Sequence, residues 1–242
     1  MLKRIQEMFS ELYTAASGMV VRQAQMDVLA HNLSNTNTVA FKTEEMASEE
    51  RPLDTGRLGV SQAGGVQRSL DLRPGPVQPT GESLDLALVG EGFFLVQAQD
   101  GIRLTRDGRF SISQDGRLVF MGMPVLGEGG EIYVGDEPFQ VANDGRISRG
   151  ETEIGRLRVV TVTSPQELER EGHGLFRVSR EETVKGVEGP TILQGYLETS
   201  NADPIRIMVQ IIEALRAFEA QQQVIQTVDR LGEKAIREIA RV

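Results

Sequence analysis

Cysteine and tryptophan are both missing from the 242 residues of this sequence. Without cysteine the chain has no disulfide bond, no thiolate metal site and no cysteine nucleophile. It also lacks an apolar run close to the roughly 18 residues that a helix needs to cross a bilayer. The run from Leu12 to Val21 follows Glu7 and Glu11, which makes it a poor signal-peptide core. We therefore expect no membrane insertion.

An excess of basic residues is missing as well. The chain has 26 Lys and Arg against 35 Asp and Glu, which gives a formal net charge of −9. Nucleic-acid binding draws most of its affinity from neutralising phosphates, so this balance argues against a nucleic-acid partner. The length and the 39% of hydrophobic residues predict one or two domains with a true core.

Glycine and proline are almost absent from the two ends. Residues 1–43 hold one glycine and no proline, residues 203–242 hold one of each, and the other 24 glycines and 8 prolines lie between them. Both residues weaken helix interiors and mark turns, so the ends are predicted to be long helices and the middle to be turn-rich. The formal charge is +1 for residues 1–43, 0 for 203–242 and −10 for the middle.

The N-terminal segment has a heptad spacing of apolar residues. The positions that fall seven apart are Ile5, Leu12, Met19, Met26 and Leu33. The alternating positions are also apolar except for Gln23. This pattern is typical of a helix seam that packs on another helix, and the seam is too long for a small domain to cover. We expect the stripe to need a further partner.

A matching helix is predicted at the C-terminal end. Asp203 resembles an N-cap followed by Pro204 at the first helical position. The three-four spacing then continues through Met208, Ile211, Leu215, Phe218, Gln222 and Ile225. The predicted fold class is α+β, in which long N- and C-terminal helices form a coiled-coil or helical-bundle layer around a central, mainly β domain.

The middle of the chain has the pattern of β structure. Asp-Gly occurs four times, at Asp100, Asp107, Asp115 and Asp144, beside short alternating runs, which predicts hairpins. The strand candidates are 84–89, 93–97, 103–105, 110–113, 117–120, 130–134, 156–162 and 176–179. The predicted domains are an N-terminal helix and joint (1–43), an extended connector (44–80), a β-rich domain (81–200) and a C-terminal helix (201–242).

No catalytic, cofactor or metal site is predicted. The two histidines, His31 and His173, are far apart in sequence and have no cysteine to complete a ligand set. The Asp-Gly pairs lack the ligand spacing of a calcium loop, and the glycine-rich stretch 122–130 lacks the Lys-Ser/Thr of a phosphate loop. We therefore expect no cofactor and no enzyme activity.

A polar run at 32–38 follows the N-terminal helix. Its Asn, Ser and Thr side chains can bond local backbone and so stop a helix. The run predicts either an ordinary helix terminus or a packed joint in which Asn32 and Asn35 contact neighbouring subunits.

Several stretches of the chain together resemble the bacterial flagellar rod and hook proteins. They are 12–19, 26–35 and 38–42 near the start, 84–94 and 104–110 in the middle, and 195–201 and 216–219 near the end. The resemblance covers nearly the whole chain in the right order. Two positions depart from it, because Ala40 stands where the family usually has Gly and Phe218 where it often has Tyr. If position 40 needs a positive φ, Ala costs on the order of 1 kcal/mol.

The resemblance implies a structural, axial subunit of the flagellar basal-body rod that transmits torque and is exported without a cleaved signal. It implies that the partners are other copies of the chain, other rod proteins, surrounding ring proteins and the flagellar export apparatus, and that the rod spans the periplasm. The predicted subunit-interface residues are Ile5, Leu12, Met19, Met26, Leu33, Asn32, Asn35, Phe41, Met208, Ile211, Leu215, Phe218 and Ile225.

Two alternatives stay open from the sequence. The acidic β domain is compatible with a binding or hydrolytic module that terminal coiled coils oligomerise. Within the family, a hook-like subunit is the other alternative, against which the short central domain argues.

Overall fold

The computed structural model of the chain describes residues 2–52, 61–179 and 183–239. It is an α+β fold, with helix α1 at Leu2–Ser34, helix α2 at Pro204–Ile239 and a mainly β region between them. The strands are β1 (Glu44–Pro52), β2 (Ser61–Leu70), β3 (Val77–Pro79), β4 (Leu86–Val89), β5 (Phe93–Ala98), β6 (Gly101–Thr105), β7 (Ser111–Ile112), β8 (Leu118–Phe120), β9 (Met123–Gly127), β10 (Gly130–Glu131), β11 (Gln140–Val141), β12 (Arg146–Arg149), β13 (Thr152–Arg156), β14 (Val159–Val162), β15 (Leu168–Gly172), β16 (Leu175–Val178), β17 (Val184–Gly186), β18 (Thr191–Gln194) and β19 (Tyr196–Glu198). The predicted α+β class is confirmed at this level, and the coiled-coil layer stays a prediction.

The chain forms two compact units. The helical unit comprises Met1–Ser34, Glu44–Ser69 and Asp203–Val242, and the β unit comprises Asn35–Thr43 and Leu70–Ala202. The segment 35–43, predicted to go with the N-terminal helix, belongs to the β unit. The predicted connector 44–80 contains β1 and β2, which form a two-stranded sheet, and β3.

Helix α2 begins where the sequence predicts. Asp203 Oδ1 accepts hydrogen bonds from the backbone N of Ile205 at 3.0 Å and of Arg206 at 3.2 Å. These bonds satisfy two of the amides that have no partner at a helix start, so Asp203 is the N-cap.

Gly18, inside α1, allows a close approach of α2. A Cβ added at Gly18 would lie 2.5 Å from Gln221 Nε2. Glycine in a helix interior costs about 1 kcal/mol relative to alanine, so its presence here has a packing reason. The two helices thus pack on each other inside the helical unit.

The β unit is built on one large antiparallel sheet. Its strand order is β15-β16-β6-β5-β9-β8-β7, with β10 paired to β9, β14 paired to β5 and β17 paired to β14. Smaller sheets are formed by β11-β12-β13, by β18 with β4, and by β19 with β3. The last two pairings join strands that are far apart in sequence.

Strand β5 separates two hydrophobic cores. Phe94 and Val96 lie in a core with Phe110, whose ring meets that of Phe94 edge-on at 5.3 Å between centroids. Phe93, on the opposite face, lies in a second core and meets Phe176 at 5.5 Å. A strand that is buried on both faces has a continuous run of apolar residues instead of an alternating one. Residues 93–96 of β5 form such a run.

Three of the four Asp-Gly pairs lie in hairpin connections, as predicted. Asp100, Asp115 and Asp144 lie between the paired strands β5–β6, β7–β8 and β11–β12. The prediction is wrong for Asp107-Gly108, because β6 and β7 are not neighbours in the sheet. There, Gly108 lies against β4, and its carbonyl accepts from Leu86 N at 3.0 Å.

The predicted strand 156–162 is split in two. Leu157 N donates to Gly145 O at 2.8 Å, which interrupts the run between β13 and β14. The predicted strand 130–134 is likewise reduced to the two residues of β10.

We expect Gly108→Ala to destabilise the β unit. A Cβ at this position would lie 1.6 Å from the carbonyl oxygen of Leu86, and backbone cannot move aside as a side chain can. Overpacking of this kind costs at least about 2 kcal/mol of unfolding free energy, which denaturant titration measures.

Gly129→Ala is the matched control. No heavy atom lies within 4 Å of its added Cβ, so we expect a change below about 1 kcal/mol. Equal stability of the two variants would contradict the close approach of Gly108 to β4.

Candidate functional site

Three charged side chains meet inside the β unit. Lys42 lies in the segment 35–43, Arg106 directly follows β6, and Glu198 is the last residue of β19. Their side chains are 1%, 2% and 0% exposed. Glu198 Oε1 accepts from Lys42 Nζ at 2.6 Å, and Oε2 accepts from Arg106 Nε at 2.7 Å. We call these three residues the charge cluster.

Backbone groups satisfy the remaining valences of the charge cluster. Gly75 N donates to Glu198 Oε1 at 2.8 Å, and Lys42 Nζ donates to Arg73 O at 2.8 Å. Arg106 donates to the carbonyls of Gly92 at 2.8 Å and Leu88 at 3.2 Å, just before β5 and near the end of β4. Each charged nitrogen and oxygen atom of the cluster therefore has a hydrogen-bond partner, which a buried charge needs if it is to be tolerated.

The cluster holds two cations and one anion. Burial lowers the pKa of Lys42 below its usual value, although the attraction of Glu198 opposes this. Burial likewise lowers the pKa of Arg106, again opposed by Glu198. The loss of hydration thus outweighs pairing for both cations. Glu198 is the carboxylate that both cations contact directly, while Asp71 adds a weaker attraction on Lys42 and Glu91 adds one on Arg106.

Backbone bonds next to the cluster hold the same segments together. Ala40 N donates to Glu198 O at 2.8 Å. The Asn201 amide accepts from Thr43 N at 2.8 Å and donates to Asp71 O at 2.9 Å. Ala40 has a φ of 55°, so this position does adopt the left-handed backbone that Gly adopts without strain.

Arg170 contacts the segment 35–43 as well. Its guanidinium lies 4.4 Å from the ring centroid of Phe41 and 5.8 Å from that of Phe176. It also donates to the backbone O of Lys42. Phe41, a predicted interface residue, is thus buried within the β unit.

The polar run at 32–38 is used within the chain. Asn32 is 3% exposed, and its side chain accepts from Glu44 N at 2.9 Å and donates to Glu44 O at 2.8 Å. Asn35 is partly buried and its Oδ1 accepts from Thr38 Oγ1 at 3.1 Å. Asn32 therefore fixes the start of β1 next to the end of α1.

The other predicted interface residues fall into three groups. Met208 and Leu215 are exposed, at 51% and 45%. The side chain of Ile5 lies outside the described residues. The half-buried members are Leu12, Met19, Met26, Leu33, Ile211, Phe218 and Ile225.

Helix α2 carries an apolar face that the single chain leaves in water. Its buried face includes Ile207, Ala214 and Val228. The exposed face, which we call the α2 outer face, consists of Ile205, Met208, Val209, Ile212 and Leu215, which are 45–75% exposed. At 3.6 residues per turn, Ile212 points about 160° away from Ala214. Sequence reasoning found two members of this face and missed Ile205, Val209 and Ile212.

The two histidines lie in separate places. His31 is exposed on α1, with Nδ1 3.7 Å from Glu44 Oε1. His173 is exposed in the turn between β15 and β16, with a φ of 52°. Within the described ranges, no group of three or more His, Asp and Glu side chains is placed to hold a metal ion.

Three family models match the chain in order. Residues 12–42 match a family described as flagella basal body rod protein, 87–149 match the flagellar hook protein FlgE/F/G D1 domain, and 193–238 match the flagellar basal body rod FlgEFG protein C-terminal. Each matched segment contains one member of the charge cluster.

Known rod proteins are similar to nearly the whole chain. The chain is 32% identical to the flagellar basal-body rod protein FlgF of Caulobacter vibrioides, over 97% of the chain and 100% of that protein. It is 34% identical to FlgF of Salmonella typhimurium, over 90% and 93%, and 31% identical to the rod protein FlgG of Buchnera aphidicola, over 94% and 98%. The chain belongs to the flagellar basal-body rod protein family.

This rod subunit is a structural protein of the basal body, not an enzyme, and it assembles with other rod components. The comparisons give no support to the binding or hydrolytic alternative. Over the described ranges, neither helix has a segment long and apolar enough to cross a membrane.

We expect Glu198→Gln to destabilise the β unit far more than Lys42→Met. Glu198→Gln removes the one carboxylate that is hydrogen-bonded to both buried cations, which costs about 3–5 kcal/mol of unfolding free energy. Lys42→Met leaves a neutral Arg106–Glu198 pair and costs no more than about 2 kcal/mol. Urea titration of both variants measures the difference, and the reverse order would contradict this charge count.

We expect His173→Ala to leave flagellar assembly and swimming unchanged, because His173 occupies an exposed turn. Swimming speed and basal-body counts measure this. Loss of swimming by a variant that folds and is exported normally would point to a role for the turn.

Proposed function

We propose that α1 and α2 form the inner, coiled-coil layer of a tubular rod and that the β unit forms its outer layer. The observation that carries the proposal is the α2 outer face. A contiguous stripe of exposed, large apolar side chains on a soluble protein marks an interaction surface.

The proposed occupant of the α2 outer face is a helix of the next copy of the chain or of a related rod protein. Membership of the rod family supports this choice. So does the composition of α1, where Tyr13 and Val20 are exposed at 47% and 68% and lie seven residues apart on one side of the helix. The outer faces of both helices are thus available for packing on further helices.

In this proposal the α2 outer face of one subunit contacts a different surface of the next subunit, so the contact is heterologous. A heterologous contact that does not close into a ring extends into a helical filament. Such a tube, filled by interlocking helices, is stiff enough in this proposal to carry torque from motor to hook. The exposed interface candidates Met208 and Leu215 belong to the contact between subunits, while the half-buried ones first serve the α1–α2 pair.

The remaining parts of the proposal rest on family membership. They are export without a cleaved signal through the flagellar apparatus, a rod that spans the periplasm, and contact with surrounding ring proteins. No cofactor enters the proposed role, which is mechanical.

The test is Leu215→Asp in the full chain. The side chain is exposed in the single subunit, so we expect the variant to melt within a few degrees of wild type. In the rod the carboxylate would be buried in an apolar contact without a partner, so we expect purified basal bodies to lack the subunit and cells not to swim.

Gln226→Asp is the matched control, since it adds the same charge to an exposed polar position of α2. We expect normal incorporation. Normal incorporation of Leu215→Asp would show that the α2 outer face is not an assembly surface.

A further inference from the structure

The charge cluster joins parts of the chain that are far apart in sequence. Glu198 lies 156 residues after Lys42 and 92 residues after Arg106. Its anion therefore comes from the last strand of the β unit, while the two cations come from its beginning and middle.

The last strands also complete the hydrophobic core. Strand β18 is the partner of β4, through pairs that run from Thr191↔Val89 to Gln194↔Leu86. Ile192 of β18 is fully buried in the same core as Phe94. Strand β19 pairs with β3 in the same way. Until residues 191–202 pack against the rest of the β unit, the core lacks the side chain of Ile192, and strands β3 and β4 lack their hydrogen-bonding partners.

Arg106 destabilises any state in which the central strands pack before residues 191–202 are in place. Its guanidinium donates to the carbonyl of Leu88 in β4 and to that of Gly92, directly before β5. If these strands packed before Glu198 arrived, they would enclose an arginine without the carboxylate that is hydrogen-bonded to its guanidinium. A buried charge without its partner is strongly unfavourable. A partly folded β unit, in which β4 and β5 are packed but Glu198 is absent, is therefore destabilised by the buried Arg106.

We propose that Glu198 is a folding checkpoint: the β unit folds only when residues 191–202 close the charge cluster, and no stable β intermediate forms earlier. The consequence for export depends on the function proposed above. A subunit that is exported as proposed there would form no stable β unit until almost its whole length is available.

Pulsed hydrogen exchange during refolding of the full chain tests the proposal without any substitution. We expect the amides of β5, β6, β18 and β19 to gain protection with rate constants that agree within twofold. Protection of β5 and β6 at least tenfold faster than that of β18 and β19 would overturn it, because the centre would then fold before its anion arrived.

A pair of variants gives a second, independent readout. We expect Glu198→Gln to slow refolding at least tenfold. The control is Glu169→Gln, which removes an exposed carboxylate 3.0 Å from Arg177 in the large sheet of the same unit, and we expect a change below twofold. A Glu198→Gln chain that refolds at the wild-type rate and only unfolds faster would overturn the proposal. If this variant does not fold, the wild-type exchange data alone decide.

The outcome is separable from the proposed rod contact. Leu215 lies in the helical unit, and its test reads incorporation into basal bodies, whereas the refolding experiment reads the β unit of a single chain in solution. Failure of one leaves the other standing.

Discussion

The carboxylate of Glu198 accepts hydrogen bonds from Lys42, Arg106 and Gly75 in a site that water does not reach. Two cations share this one hydrogen-bonded carboxylate, so the burial of each depends most strongly on it. Ion pairs of this kind contribute little net stability, because desolvation offsets their attraction. Their effect is selective. Only the arrangement that brings the segment 35–43, the end of β6 and strand β19 together leaves no buried charge alone, so alternative packings of these segments are disfavoured.

The helical unit follows a different rule. In α2 one apolar face is buried and the opposite face, from Ile205 to Leu215, is exposed. A helix that is apolar on two sides suits a fully enclosed position, and the single chain encloses only one side. The β unit satisfies its own strands and charges, whereas the helical unit leaves apolar surface for other subunits. The β unit itself has a formal charge of −7 over residues 35–43 and 70–202. This charge adds to the division, because like charges on the β units oppose contacts other than those between helices.

Local patterns were enough to predict the two helices, the Asp203 cap, three hairpin turns and most strands, because each depends on neighbouring residues. The phase of α2 was not predictable in this way. The three-four spacing selected Met208 and Leu215, but the structure buries Ile207 and Ala214. Both faces are apolar, so hydrophobicity alone cannot decide which one is buried. The choice depends on how closely the helices approach, as the fit of Gln221 against Gly18 illustrates.

The charge cluster lay beyond sequence reasoning for another physical reason. Lys42, Arg106 and Glu198 each sit in a stretch that resembles the rod and hook proteins, yet any one of them alone resembles a surface charge, which is the usual place for Lys, Arg and Glu. Their burial depends on the pairing of β19 with β3 and on the path of segment 35–43, and these are contacts over 100 residues or more. The sequence feature that could have indicated a buried charge is a charged residue inside a motif that is otherwise apolar or rich in turn residues. For Glu198, which follows Leu197 in a short strand near the C-terminal helix, that signal marks the residue on which the two cations depend.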